Sequence, residues 1–100
     1  KETIDVSGAQ SETIGGDYGM GVAGKGSVTV DGELQISSGA KGTIETKGKL
    51  AVSSEDEVLI SCGSASIKLT KDGSIEIKGD KITIKSSGDV KVKGSSVAIN

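Results

Sequence analysis

The sequence lacks phenylalanine, tryptophan, histidine, proline and arginine, and Tyr18 is its only aromatic residue. The absence of histidine removes the commonest general base and metal ligand, and a single cysteine excludes an internal disulfide framework. Only 33% of the 100 residues are hydrophobic, whereas about 45–50% is usual for a globular domain. So few apolar side chains cannot give a chain of this size a sufficient core. Partner chains must supply buried surface, or the chain is disordered.

Charge and hydrophobic runs exclude two further classes of protein. The formal net charge is −2, and all 12 basic residues are lysine. A nucleic-acid-binding surface normally combines clustered basic side chains with arginine or stacking aromatics, so no nucleic-acid partner is expected. No run of 18 apolar residues is present, so no membrane-spanning helix is expected. The chain starts Lys1-Glu2-Thr3-Ile4, which is neither a signal peptide nor a natural start, and we expect it to be a fragment of a longer protein.

The aliphatic residues that are present favour β structure over disorder. Of the 24 isoleucine, valine and leucine residues, 20 are β-branched, and β-branched side chains suit a pleated strand. Many recur two positions apart, which is the period of a strand: Ile67/Leu69, Ile75/Ile77, Ile82/Ile84, Val90/Val92 and Val97/Ile99. No segment carries a sustained helical period. We therefore predict an all-β chain in which each repeat is one short strand followed by a corner.

A repeat of about eight residues runs along the chain. Four glycines lie eight residues apart, each two positions after an aliphatic residue: Gly8, Gly16, Gly24 and Gly32. Glycine suits a corner because it reaches positive φ without strain. We predict one needle-like domain over 1–100, with Gly-cornered octads in 1–35, irregular octads in 36–63 and the most regular repeats in 64–100. The irregular repeats keep the step of eight but lack glycine at the expected corner, around Thr46, Ser54 and Cys62.

The short repeat and the small number of inward apolar residues per strand together favour an assembly of three chains over a single folded chain. A hairpin meander usually needs a longer repeat, whereas a solenoid that turns in one sense fits this step better. Two inward residues per strand enclose too little apolar volume for one chain. The prediction is an intertwined homotrimeric triple-stranded β-helix, a triangular β-prism. Its predicted trimer core consists of Val6, Ile14, Val22, Val28, Val30, Ile36, Ile44, Val52, Val58, Ile60, Ile67, Leu69, Ile75, Ile77, Ile82, Ile84, Val90, Val92, Val97 and Ile99.

Two stretches near the C-terminus resemble a known family. Residues 64–79, Ser-Ala-Ser-Ile-Lys-Leu-Thr-Lys-Asp-Gly-Ser-Ile-Glu-Ile-Lys-Gly, look like the end of VgrG, the spike protein of type VI secretion systems. Residues 94–100, Gly-Ser-Ser-Val-Ala-Ile-Asn, look like that family's C-terminus. The earlier octads resemble the repeat of contractile phage tail needles. The resemblance implies the homotrimeric needle that follows the hub domains of VgrG, a structural part and not an enzyme.

The resemblance also implies partners and a location. In that family the needle punctures a target cell envelope and carries a conical PAAR-repeat tip protein with effectors on its blunt end. On this chain the tip-binding residues would be Val97, Ala98, Ile99 and Asn100. The missing N-terminal hub would connect the needle to the secretion tube. The implied protein is bacterial, assembled in the cytoplasm and then secreted or injected into a target cell.

No catalytic, cofactor or metal site is predicted. Residues 19–24 fit the G-x-G-x-x-G pattern, but no helix follows, so a Gly-rich β-corner is the better interpretation. The His-x-His iron site found at some phage needle tips is excluded because histidine is absent. Cys62 is predicted to be a small buried hydrophobic residue. Residues 61–100 carry 7 lysines and 4 acidic residues, which suggests that this basic C-terminal part makes a transient contact with an anionic target membrane or meets an acidic cap protein.

Two alternatives remain open at this point. A phage tail needle or fibre stalk would have the same architecture, and the fold of the missing N-terminal part or the neighbouring genes would separate it from a secretion spike. A single-chain β-solenoid that acts as an adhesin or binding module should present a regular exposed ladder of one residue type. The residues between the paired aliphatics form no such ladder: Lys68, Glu76, Thr83, Lys91 and Ala98.

Overall fold

The structure, a computed structural model that describes residues 1–100, contains β-strands and no helix. β1 spans Glu57–Cys62, β2 spans Ala65–Thr70 and β3 spans Ile75–Lys78. They form one antiparallel sheet in the order β1-β2-β3. We call residues 57–78 the meander. The structure has no helix with the length and apolar character that a membrane span requires.

Two tight connections produce the reversals of the meander. Cys62 pairs with Ala65, so Gly63 and Ser64 form a two-residue loop, and Gly63 has a φ of 57°. Because φ is positive at the first loop residue and not at the second, the loop is a type II′ turn, which matches the twist of the strands that it joins. The second connection, between β2 and β3, contains Gly73 with a φ of 92°. Both reversals therefore use glycine where an L-residue would be strained.

The chain divides into two units, Lys1–Gly42 and Thr43–Asn100. No residue in either unit is buried. The large aliphatic side chains are exposed almost throughout, from 41% at Ile67 and Leu69 to 93% at Ile99. The prediction that one chain cannot form a hydrophobic core by itself is confirmed.

The eight-residue repeat appears in the backbone as a series of bends. The chain bends at 7–8, 15–16, 23–24, 31–32, 39–40, 47–48 and 55–56, and it turns at 63–64 and at 71–72. The positions of the corners predicted at the four glycines of the first segment are therefore confirmed, but the expected positive φ is wrong, since only Gly63 and Gly73 adopt it. In the middle segment the prediction was wrong by two residues, because the bends follow Thr46 and Ser54 instead of coinciding with them.

Serine and threonine side chains support the bends of the middle segment. The backbone N–H of Gly48 donates to Thr46 Oγ1 over 3.0 Å, and that of Asp56 donates to Ser54 Oγ over 3.2 Å. The same contact recurs at Ala40 with Ser38 Oγ and at Gly88 with Ser86 Oγ. A hydroxyl that accepts the amide two residues later forms a local turn. At these corners the acceptor occupies the position that an aliphatic residue holds before Gly8 and its equivalents.

One prediction about the strands was wrong, and a second concerns pairing between chains that a single copy does not contain. The short repeat was expected to disfavour hairpins, yet residues 57–78 form two of them. A two-residue loop with Gly63 at positive φ shortens the connection enough to fit the repeat. The strands predicted at Ile82/Ile84, Val90/Val92 and Val97/Ile99 do not form in the single chain. A strand is defined by pairing, and these segments have no neighbouring backbone to pair with.

A carboxylate organises the second connection. Thr70 Oγ1 and the backbone N–H of Ser74 both donate to Asp72 Oδ1, the latter over 3.0 Å. The Thr70 N–H donates to the Ser74 carbonyl over 3.1 Å. The hydrogen bond from Thr70, with those from Ser74, lowers the pKa of Asp72 below its ordinary value of 3.8. These donors favour the ionised carboxylate because it is the better acceptor.

This environment predicts that the meander loses stability in acid. Because the folded pKa of Asp72 is lowered, its contribution is fully present above the unfolded value and is lost as the pH falls through the folded pKa. NMR titration of the Asp72 carboxyl carbon and of the Ser74 amide should show a common midpoint below 3.8. The Asp72→Asn variant should remove that dependence from the Ser74 amide. A midpoint at or above the ordinary value would contradict the prediction.

Candidate assembly surface

The cross-strand register collects the aliphatic side chains of the meander on one face. Side chains alternate between the two faces along a strand, and directly paired residues share a face. One row across the sheet is Ile60, Ile67 and Ile77, and a second row is Val58, Leu69 and Ile75. Cys62 and Ala65 extend the same face. We call these eight residues the apolar face.

The opposite face of the sheet is mostly polar. Its central row is Leu59, Lys68 and Glu76, and the neighbouring row is Ser61, Ser66 and Lys78. Lys68 and Glu76 are directly paired across β2 and β3, which is a favourable arrangement of opposite charges. The sheet is therefore amphipathic. Its polar face can remain in contact with water, whereas its apolar face would be stabilised by burial against another surface.

The apolar face continues into the chain that follows β3. A groove of about 320 Å³ is bounded by side chains of the apolar face and by Ile82. Lys78 and Lys81 also line it. At Gly79, an added Cβ would lie 4.0 Å from Ala65 Cβ and 3.9 Å from Ile82 Cγ1, so the chain passes close to the sheet there. The groove is a shallow surface lined mainly by aliphatic side chains, with Cys62 among its lining residues.

The structure brings six of the predicted core residues together on the apolar face and adds a seventh in the groove. The six are Val58, Ile60, Ile67, Leu69, Ile75 and Ile77, and the seventh is Ile82. The other predicted core residues lie in repeats without strand pairing and are exposed. The predicted tip-binding residues Val97–Asn100 are also exposed and unpaired. Sequence reasoning missed Ala65 on this face, and it missed the hydroxyls that support the corners, although Ser38, Thr46 and Ser54 share the octad spacing.

Backbone pairing is confined to one part of the chain. Outside 56–78 the chain makes no backbone–backbone hydrogen bond with itself. All strand pairs in the structure are antiparallel. A single-chain solenoid requires successive repeats to pair in parallel, so this chain taken alone does not form one. The repeats on both sides of the meander leave their amides and carbonyls available to another chain.

Other groups do not form a chemical site. Cys62 lies on the apolar face, and it is exposed in the single chain, in contrast to the burial predicted for it. Its thiol is exposed because the face that carries it is uncovered. The structure brings no cluster of histidine, cysteine and acidic side chains together that could hold a metal ion. The acidic run 55–57 lies at a corner and at the start of β1.

Comparison with known proteins adds no family assignment. No protein-family model matches the chain. No curated protein matches it. The functional conclusion therefore rests on the repeat, the apolar face and the resemblance in the C-terminal residues.

A matched pair of variants tests whether the apolar face is covered in the assembled protein. Ile60 and Leu59 are neighbours in β1, lie on opposite faces and are similarly exposed in the single chain, at 61% and 56%. Ile60→Asp should weaken self-association by at least ~3 kcal/mol, because an unpaired carboxylate would be buried. Leu59→Asp should change it little. Sedimentation velocity over a concentration series measures both, and equal effects would contradict the assignment of the face.

Proposed function

We propose that this chain is the needle of a type VI secretion spike of the VgrG kind. Three copies intertwine into a triangular β-prism that punctures a target envelope, and the C-terminal end carries a PAAR-repeat tip protein with its effectors. The role is structural and requires no catalytic group. The assembly forms in the bacterial cytoplasm and leaves it by secretion or injection, joined to the secretion tube through a hub that precedes the needle.

One observation supports this proposal above the others: outside the meander the chain bends about every eight residues and leaves the intervening backbone unpaired and its aliphatic side chains exposed. Backbone amides and carbonyls that leave water must find partners. A partner that satisfies them along the whole chain must itself be extended and repeat every eight residues. Another copy of this chain meets both conditions. Three copies also let the inward residues of all chains meet on one axis.

The proposed assembly has the mechanical properties that a needle needs. Each face of the prism would gain about 4.7–4.9 Å per repeat, which is one strand spacing. Every strand outside the meander would pair with a different chain on each side, so that pulling out one chain breaks many hydrogen bonds together. Such an assembly resists force through a high barrier to unfolding rather than through a large core. A sequence with 33% hydrophobic residues is compatible with that mode of stabilisation.

The resemblance and the charge pattern support the direction of the needle. The residues that resemble the family's C-terminus are the last of the chain, Val97–Asn100. In a trimer three copies of Ile99, which is 93% exposed in the single chain, would form a small apolar platform for a tip protein. The basic C-terminal part, residues 61–100, would lie nearest to the target, where anionic lipid attracts lysine side chains.

The mass of the protein in solution is the direct test of the trimer. Native mass spectrometry and light scattering after gel filtration should give a species near three times 10.0 kDa. The species should persist on dilution because dissociation is slow. A folded β-rich monomer would refute the needle, and an unfolded monomer would mean that the hub is needed to align the chains.

The tip contact is tested separately. Ile99→Asp should weaken binding of a PAAR-repeat protein by at least tenfold, since three carboxylates would replace an apolar platform. Thr83→Asp is the matched control, because Thr83 lies between Ile82 and Ile84 and is predicted to face solvent. Binding is measured by calorimetry on the trimer. Equal binding by both variants would place the tip contact elsewhere.

A further inference from the structure

Copies of a repetitive chain can align in more than one register, and the meander can select one of these alignments. In the first segment the same kinds of residue recur every eight positions, as in Val6, Ile14, Val22 and Val30. Three such chains that slip by one octad still place aliphatic residues inward. The aligned and slipped states are therefore close in energy, and weakly specified register is a known cause of mispairing. A unique alignment needs an element that does not repeat.

The meander is such an element. It is the one part of the chain that forms a sheet with itself, and its two reversals occur nowhere else. Its two glycines at positive φ are also the only ones in the chain. Beyond the ladder, the Lys71 N–H donates to the Asp56 carbonyl over 3.1 Å and ties the start of β1 to the end of β2.

The contacts of the meander are local in sequence, so the meander is expected to form before the chains associate. β1 and β2 are joined by two residues, and β2 and β3 by four. Hairpins with short loops form in about 1–10 μs, whereas assembly of chains is slower and depends on concentration. A small sheet by itself is only marginally stable in water. Its apolar face is uncovered, so docking on the same face of another copy would bury that face and stabilise the sheet.

We propose that the meander folds within each chain before association and sets the register in which the three copies align. This inference rests on the homotrimer proposed above. The apolar face, centred on the row Ile60, Ile67 and Ile77, is the docking surface, and the equivalent faces of two further copies cover it. The octads on both sides then pair outward from this point and need no register signal of their own.

Pulsed hydrogen exchange during refolding of the full chain tests the order. Amides of β1, β2 and β3 should gain partial protection first, at a rate that does not change with protein concentration. Amides of the flanking octads, residues 1–54 and 82–100, should follow at a rate that rises with concentration. Simultaneous protection of both groups, or protection of the flanks first, would overturn the inference.

A pair of glycine variants tests the cause. Gly73→Val places a β-branched residue at a φ of 92°, whereas Gly48 lies at a bend without positive φ and has open space at its Cβ position. Gly73→Val should slow trimer formation about tenfold, the factor expected for a strained turn, and Gly48→Val should slow it clearly less. Equal slowing by the two variants would contradict a special role of the meander.

The alignment of the three chains is measured by the distance between labels placed outside the meander. In a Cys62→Ser background, a spin label at Gln35→Cys should give one narrow distance distribution in the trimer. Adding Gly73→Val should broaden it, because slipped trimers become populated, and adding Gly48→Val should leave it narrow. An unchanged narrow distribution with Gly73→Val would refute the registration role and leave the trimer intact. A folded, β-rich monomer at every concentration would instead refute the proposed function, and this inference with it, whereas an unfolded monomer would refute this inference alone, because the meander would then not suffice to align the chains.

Discussion

The constraint on which this structure depends is the pairing of its backbone polar groups. A chain with so few apolar side chains has no core to stabilise it, so stability must come from hydrogen-bonded strands and from the faces that these strands present. Within one copy this requirement is met in the meander alone. Because one copy pairs its backbone only in the meander, the octads and the apolar face remain exposed. Further copies are needed to pair the octads and to cover that face.

Two devices allow the chain to bend regularly while its composition changes. In the first segment glycine forms the corner and an aliphatic residue lies two positions before it. From Ser38 onward a hydroxyl takes that earlier position in several repeats and accepts the amide of the corner residue. The hydroxyl supports these bends with a local hydrogen bond. The bend therefore keeps its spacing where the glycine pattern weakens.

The same spacing serves two kinds of connection. The turns of the meander at 63–64 and 71–72 continue the series of bends, yet there the chain reverses. The difference lies in the backbone of the glycines, since Gly63 and Gly73 adopt positive φ and the corner glycines do not. The same repeat length therefore gives a sheet that pairs with itself in the meander. In the rest of the chain it gives extended segments that have no pairing partner in one copy.

The sequence by itself was sufficient for the features that depend on local chemistry. The positions of the first four corners, the all-β character and the lack of a core follow from glycine spacing, β-branched side chains and composition. A signal for the first hairpin was also present: Ile60 and Ile67 are seven residues apart, with Gly63-Ser64 between them. It was missed because spacing alone does not report the sign of φ at a glycine.

Which residues of different strands lie side by side on one face was decided by the tertiary structure alone. Leu59 and Ile60 lie on opposite faces because side chains alternate along β1, but only the register of β1 against β2 and β3 places Ile60 beside Ile67 and Ile77. Register depends on loop length and on pairing between strands that are apart in the chain. For the same reason the flanking octads, which are paired with nothing in one copy, have predicted inward positions but no observed partner.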